Sequence, residues 1–177
     1  MYEACLQNSQ TKRLWKRESY FPKQLMGKMI DMSADFVQQM FKDLFDETKA
    51  IDRRVDRFIF YCDELLTEYK NTHPRSIENN HYHSYEMCSL YLAFRYPEVY
   101  GLYDFKIFQR SMTILGSTQI PQVDDFSRFC KVSKTLMNFL KKDEAVFDLH
   151  QKRLKDGTHY REDSMLLVSE WLLVMGS

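Results

Sequence analysis

An all-α fold is the class this sequence predicts, and three observations predict it. Gly and Pro are scarce, five and four in 177 residues, which favours long helices over the many short strands of a β-sandwich. Apolar residues recur in steps of three and four over long stretches, the period of a helix buried along one side. Ser33, Ser84 and Asp104, residues suited to accept hydrogen bonds from a first helical turn, stand where such stretches begin. A chain of this length buries a continuous core without disulfide or metal staples. The expectation is therefore a single compact domain of about six or seven helices.

Residues 1–32 read as a basic lead segment, set apart from a helical domain at 33–177. Lys12, Arg13, Lys16, Arg17, Lys23 and Lys28 alternate there with Trp15, Tyr20 and Phe21, and Pro22 and Gly27 argue against one continuous helix. From Ser33 to about Asp46 the apolar residues Phe36, Met40, Phe41, Leu44 and Phe45 share one face. The clearest periodicity follows in Ile51, Val55, Phe58, Ile59, Cys62, Leu65, Leu66 and Tyr69, with Asp52, Arg53, Asp56, Arg57, Asp63, Glu64 and Glu68 on the opposite, solvated face. Asn71 to His83 is polar and contains Pro74, a loop and the best candidate for a hinge or a site.

After Ser84 a helix apolar on all sides carries Met87, Cys88, Leu90, Tyr91, Leu92 and Phe94, which places it centrally, and Pro97 stops it. Residues 99–103, Val-Tyr-Gly-Leu-Tyr, read as a short aromatic strand-like segment. Asp104 then caps a helix with Phe105, Phe108, Met112 and Leu115 inward and Gly116 at its end. Helices are expected over 124–141, with Phe126, Phe129, Leu136, Phe139 and Leu140 inward, and over 143–155, with Val146, Leu149 and Leu154 inward. A polar loop around Gly157 leads into the last, from about Ser164 to Met175.

Composition excludes several function classes. Lys plus Arg equals Asp plus Glu at 25 each, so no global field drives the protein onto nucleic acid or an anionic membrane, and any such binding needs a local patch. Cys5, Cys62, Cys88 and Cys130 are scattered singly, with no CxxC pair, and read as buried reduced thiols. The first residues are too polar for a signal-peptide core, and no apolar run approaches the about 20 residues of a membrane helix, so a cytoplasmic location is expected.

Standard catalytic motifs are missing. With Gly at 27, 101, 116, 157 and 176 alone, no Gly-rich phosphate cradle can be built, and HExxH, the zinc-deaminase pair and GxSxG are absent. No catalytic residue and no cofactor is assigned. His81 and His83 alternate on an extended segment with Glu86 a turn away, a geometry that can converge on a metal. The ligand count is short, however, and a polar loop capping the next helix explains the same residues, so no metal is assigned. His73, His150 and His159 are isolated.

For nucleic acid, Lys12, Arg13, Lys16 and Arg17 can neutralise phosphates while Trp15 stacks on a base or anchors the segment to the core. Arg128, Lys131, Lys134, Lys141 and Lys142 form a second cationic stripe, with no acidic residue between 126 and 142. A basic helix face is otherwise simply a solvated one.

Arg75 with His81, and Arg153 with His159, each place a His six positions after an Arg. This spacing resembles the ribonuclease motif of HEPN domains, helical proteins that place Arg and His across a dimer interface to cleave RNA. Ser76 supplies the polar residue that usually follows the Arg, whereas Leu154 takes its place in the second pair, so the first fits better.

A second resemblance is carried by Phe36 to Val55, FVQQMFKDLFDETKAIDRRV, and by His83 to Phe105, HSYEMCSLYLAFRYPEVYGLYDF. Together they resemble the helical region preceding the AAA+ motor of McrB-like proteins, the nucleotide-driven subunits of modification-dependent restriction systems, over about residues 33–115. The resemblance implies a bacterial defence setting, a motor domain or nuclease subunit as partner, and a role in positioning DNA or that partner. Leu92, Phe94, Tyr96, Pro97, Tyr100 and Tyr103 would be packing residues. The sequence reaches Ser177 without the motor's phosphate loop, so no nucleotide hydrolysis is expected from these residues. The expected function is a non-catalytic module working with such a motor. The alternatives are a HEPN-like ribonuclease using Arg75 and His81, or a domain that only braces an oligomer.

Overall fold

A computed structural model describes residues 21–156, 160–162 and 164–177. The all-α class holds: eight helices and no strand occur among the described residues. They are α1 (Phe21–Met32), α2 (Ala34–Leu44), α3 (Ile51–Thr72), α4 (Tyr85–Arg95), α5 (Phe105–Ile114), α6 (Phe126–Leu140), α7 (Glu144–Arg153) and α8 (Leu166–Gly176). Backbone contacts cluster into two units, Met1–Met87 and Cys88–Ser177, with the boundary inside α4.

In the first unit α1 packs on α2 and α3, and α2 packs on α3. Pro22 sits in the first turn of α1, where its missing N–H costs nothing. Gly27 does not interrupt that helix, against the expectation, because the residues around it bury Leu25, Met26 and Met29 together. The helices they pack on bury Val37, Met40 and Leu44 of α2 and the stripe Val55, Phe58, Cys62, Leu65 and Leu66 of α3. Burying each large apolar side chain contributes roughly 1.5–3 kcal/mol. Ser33 occupies the N-cap position of α2 as expected, but its side chain makes no capping bond. The residue acts as a one-residue break between α1 and α2.

A charged residue holds the turn from α2 into α3. Arg54 is only 4% exposed, and its Nη1 donates to the Leu44 carbonyl at 2.9 Å and to Glu47 Oε1 at 2.5 Å. The guanidinium thus satisfies a carbonyl left open at the end of α2 and neutralises itself against a carboxylate.

In the second unit α8 packs on α5 and α6. Aspartates start three helices, Asp104, Asp125 and Asp143 accepting from the N–H of Ile107, Arg128 and Val146. Gly116 ends α5 at φ 69°, with Ser117 N–H on the Met112 carbonyl and Gly116 N–H on the Thr113 carbonyl, a Schellman closure. Tyr103, Phe108, Phe126 and Phe129 form an aromatic core in which Phe126 and Phe129 stack at 17° and Phe108 meets Phe129 edge-on, centroids 5.4 Å apart at 90°. The 99–103 segment pairs with no other as a strand; it leaves a turn at Pro97 and buries Tyr100 and Tyr103. Leu92 is buried with them, whereas Phe94 is exposed. Leu115, Phe139 and Leu149 also point outward rather than inward. The buried stripe of α6 runs Phe126, Phe129, Ser133, Met137, and Phe139 lies off it.

The approach of α8 to α5 needs small residues. Ser111 Oγ donates to the Leu172 carbonyl at 3.1 Å, and a Cβ on Gly176 would lie 2.5 Å from the Ile107 carbonyl oxygen. Gly176→Ala is therefore expected to lower stability in urea denaturation by about 1–3 kcal/mol, the range for overpacking. Gly27→Ala, in a helix interior with nothing within 4 Å, should raise it by about 0.5–1 kcal/mol. Equal effects of the two substitutions would refute this packing account.

Candidate functional site

Two places carry chemistry, one in each unit. The first is the loop from His73 to Ser84 and the part of α3 beneath it. Its last residues fold on themselves: the His83 N–H donates to His81 Nδ1 at 2.9 Å, and His83 Nδ1–H donates to the His81 carbonyl at 2.6 Å. This double link forces Tyr82 to φ 60°, a left-handed value, with its N–H donating to Asn80 Oδ1 at 2.6 Å. The Tyr82 ring stacks on Phe21 at 5.2 Å.

The hydrogen bonds fix both imidazole tautomers. A carbonyl can only accept, so His83 carries its proton on Nδ1 and its lone pair on Nε2. His81 accepts at Nδ1, so in the neutral ring its proton is on Nε2, which donates to Asp63 Oδ1 at 3.1 Å. The two rings lie 5.8 Å apart, and His83 rests against Phe58.

Cys62, one residue before Asp63 on the buried stripe of α3, completes the group. One donor atom from each of Cys62, His81 and His83 lies within 4.8 Å of the others, and all three residues are buried. No other group of three such donors gathers as closely among the described residues. Burial pushes the Cys62 thiol up, with Asp63 adding to it. Burial, and then the neighbouring His81, push His83 down to about 3.

The sequence pointed to two of these three residues. The His81-x-His83 pair is local, but the third donor is Cys62, nineteen residues before His81, rather than Glu86. A single Cys inside an apolar stripe carries no signal beyond packing. Arg75 and His81 meet different environments: Arg75 is exposed, whereas His81 is 8% exposed and bonded to Asp63 and His83. Arg153 donates to His150 Nδ1 and pairs with Glu170, and His159 lies outside the described residues.

The second place is the outer face of α6 and the turn after it. Lys131, Lys134, Lys141 and Lys142 are exposed, together with Thr135, Asn138 and Phe139. Phe139 is 64% exposed and carries the Lys142 ammonium 5.7 Å above its ring. Arg128 takes another role: its Nη2 donates to the Gln119 carbonyl and to Ser117 Oγ, bracing the loop between α5 and α6. Lys12, Arg13, Trp15, Lys16 and Arg17 lie outside the described residues.

No family model matches this chain, and no curated protein or solved structure matches it.

The buried His83 predicts an acid sensitivity. Between about pH 6.5 and 3 an unfolded His83 binds a proton that the folded one does not, so stability falls as pH falls through that window. For metal-free protein a loss of about 2 kcal/mol between pH 7 and 5 is expected from this residue, from roughly 1.4 kcal/mol per unit. The measurement is urea denaturation at both pH values for wild type and His83→Gln. An unchanged pH dependence in the variant would assign the effect elsewhere, for instance to His150, whose burial also lowers it.

Proposed function

We propose that this chain is a non-catalytic helical module that engages DNA through the outward face of α6, within a McrB-like defence assembly. One observation carries the reading. Lys131 and Lys134 on α6 and Lys141 and Lys142 in the turn after it are exposed, as is Phe139, and no acidic residue occurs between 126 and 142. Ammonium groups neutralise phosphates and release counterions, while an exposed ring offers a stacking surface to an unpaired base. The aromatic residue distinguishes this face from an ordinary solvated one. The resemblance of residues 33–115 to the helical region before a McrB-like motor supplies the assembly, with the motor or its nuclease subunit as the partner.

Two features weigh against the ribonuclease alternative. His81, which would have to reach RNA, is buried, and both of its ring nitrogens are occupied by Asp63 and His83. General acid or base work needs a side chain within reach of the substrate proton.

The test is fluorescence anisotropy with labelled duplex and single-stranded DNA at a series of salt concentrations. Four lysine contacts on duplex give a slope of log K against log salt of about −3 to −4. A variant with Lys131, Lys134, Lys141 and Lys142 all changed to Ala should lose that slope. Phe139→Ala should weaken single-strand binding by about 1–3 kcal/mol and leave duplex binding unchanged. Absence of binding at low salt, or undiminished binding by the quadruple variant, would sink the proposal.

A further inference from the structure

We propose that Cys62, His81 and His83 bind one zinc ion, with the Asp63 carboxylate orienting His81 through its Nε2–H. This site is separate from the proposed DNA-binding face, and neither depends on the other.

The donor set is the first argument. A thiolate and two imidazoles suit zinc, a borderline-soft ion with no geometric demand of its own, and three protein ligands leave a fourth position for water or an outer ligand. Magnesium and calcium are excluded by the absence of oxygen donors among the three.

The second argument is that the histidines are already held as zinc ligands are. Ligating imidazoles nearly always donate their other N–H to a carboxylate or carbonyl, which fixes the tautomer and raises basicity. Both arrangements are present: His81 Nε2–H on the Asp63 carboxylate, and His83 Nδ1–H on the His81 carbonyl. The nitrogens left to carry lone pairs are His81 Nδ1 and His83 Nε2. Zinc on His81 Nδ1 displaces the His83 N–H from that atom.

The scaffold is the third. Cys62 stands on the best-buried stripe of the longest helix, and the two histidines stand on a loop whose backbone is closed by its own hydrogen bonds. Donors around a tetrahedral zinc lie about 3.3–3.8 Å apart, given bonds of about 2.0–2.3 Å. One donor atom from each of the three lies within 4.8 Å of the others, so binding draws them about 1 Å closer. On binding, the Cys62 S–H bond breaks, a sulfur–zinc bond forms, one proton leaves to solvent, and the imidazoles enter as neutral ligands.

The experiment uses the full chain, reduced and stripped with a chelator, titrated with zinc by calorimetry and with cobalt(II) as a spectroscopic substitute. One ion per chain is expected, with a thiolate-to-cobalt charge-transfer band, release of one proton from sulfur, and a raised melting temperature. Cys62→Ala, checked for helix content, should lose the band, Cys130→Ala should keep it, and Asp63→Ala should weaken zinc binding about 10–100-fold. Folded wild-type protein that takes up no metal at micromolar concentration would overturn the proposal. So would a cobalt complex without a sulfur band. The wild-type spectrum decides this even where Cys62→Ala fails to fold.

Discussion

A fully buried imidazole sets the terms for the first unit. His83 has no exposure, and an unsatisfied ring N–H there would cost about 1–3 kcal/mol. The nearest acceptor is the carbonyl two residues back, and reaching it requires the chain to turn tightly through Tyr82 in a left-handed conformation. That turn in turn brings His81 over α3, where Asp63 Oδ1 accepts a hydrogen bond from its Nε2–H. The polar loop thereby becomes a fixed structure. Arg54 applies the same logic at the other end of α3, spending its charge on a helix-end carbonyl and a carboxylate. Burial of polar groups, once satisfied, positions backbone that apolar packing alone would leave degenerate.

The second unit is constrained by distance rather than by polarity. Its last helix is apolar on nearly every side, so hydrophobicity cannot choose which side faces inward. Small residues choose instead. Gly176 and Ser111 let α8 approach α5 until the Ser111 hydroxyl reaches the Leu172 carbonyl, and Val168, Leu172 and Gly176 become the buried stripe. Leu173 and Val174 are left exposed as a consequence of that choice.

What the sequence revealed follows the same division. The helix of residues 51–72 was legible because its apolar period is clean and its opposite face charged. Asp104 and Gly116 were legible because capping and left-handed closure are local chemistry. The helix at 21–32 is hidden in the sequence because Pro and Gly read as breakers, whereas Pro in a first turn and Gly in a packed helix are tolerated. Phe139 was misplaced because an apolar residue near a helix end fits either of two stripes. Leu149, next to a charged stretch, failed for a similar reason. Of the candidate metal ligands, only the His81 and His83 pair was visible. Joining Cys62 to them requires knowing that the loop folds back onto α3, a long-range fact that no local pattern encodes.

The distribution of cations shows why counting basic residues misleads. Arg54, Arg128 and Arg153 all commit their guanidinium groups to the chain's own carbonyls, carboxylates or an imidazole. Their rigid forked donors suit that work. Lys28 and Lys49 are paired with acids. Lys131 and Lys134 instead point outward from a helix whose first charged neighbour, Arg128, is already committed to the loop before it. Lysines in general contact phosphates as mobile point charges without reading base identity. On the proposed DNA-binding reading, such a face would supply position and affinity, and sequence discrimination would have to come from a partner.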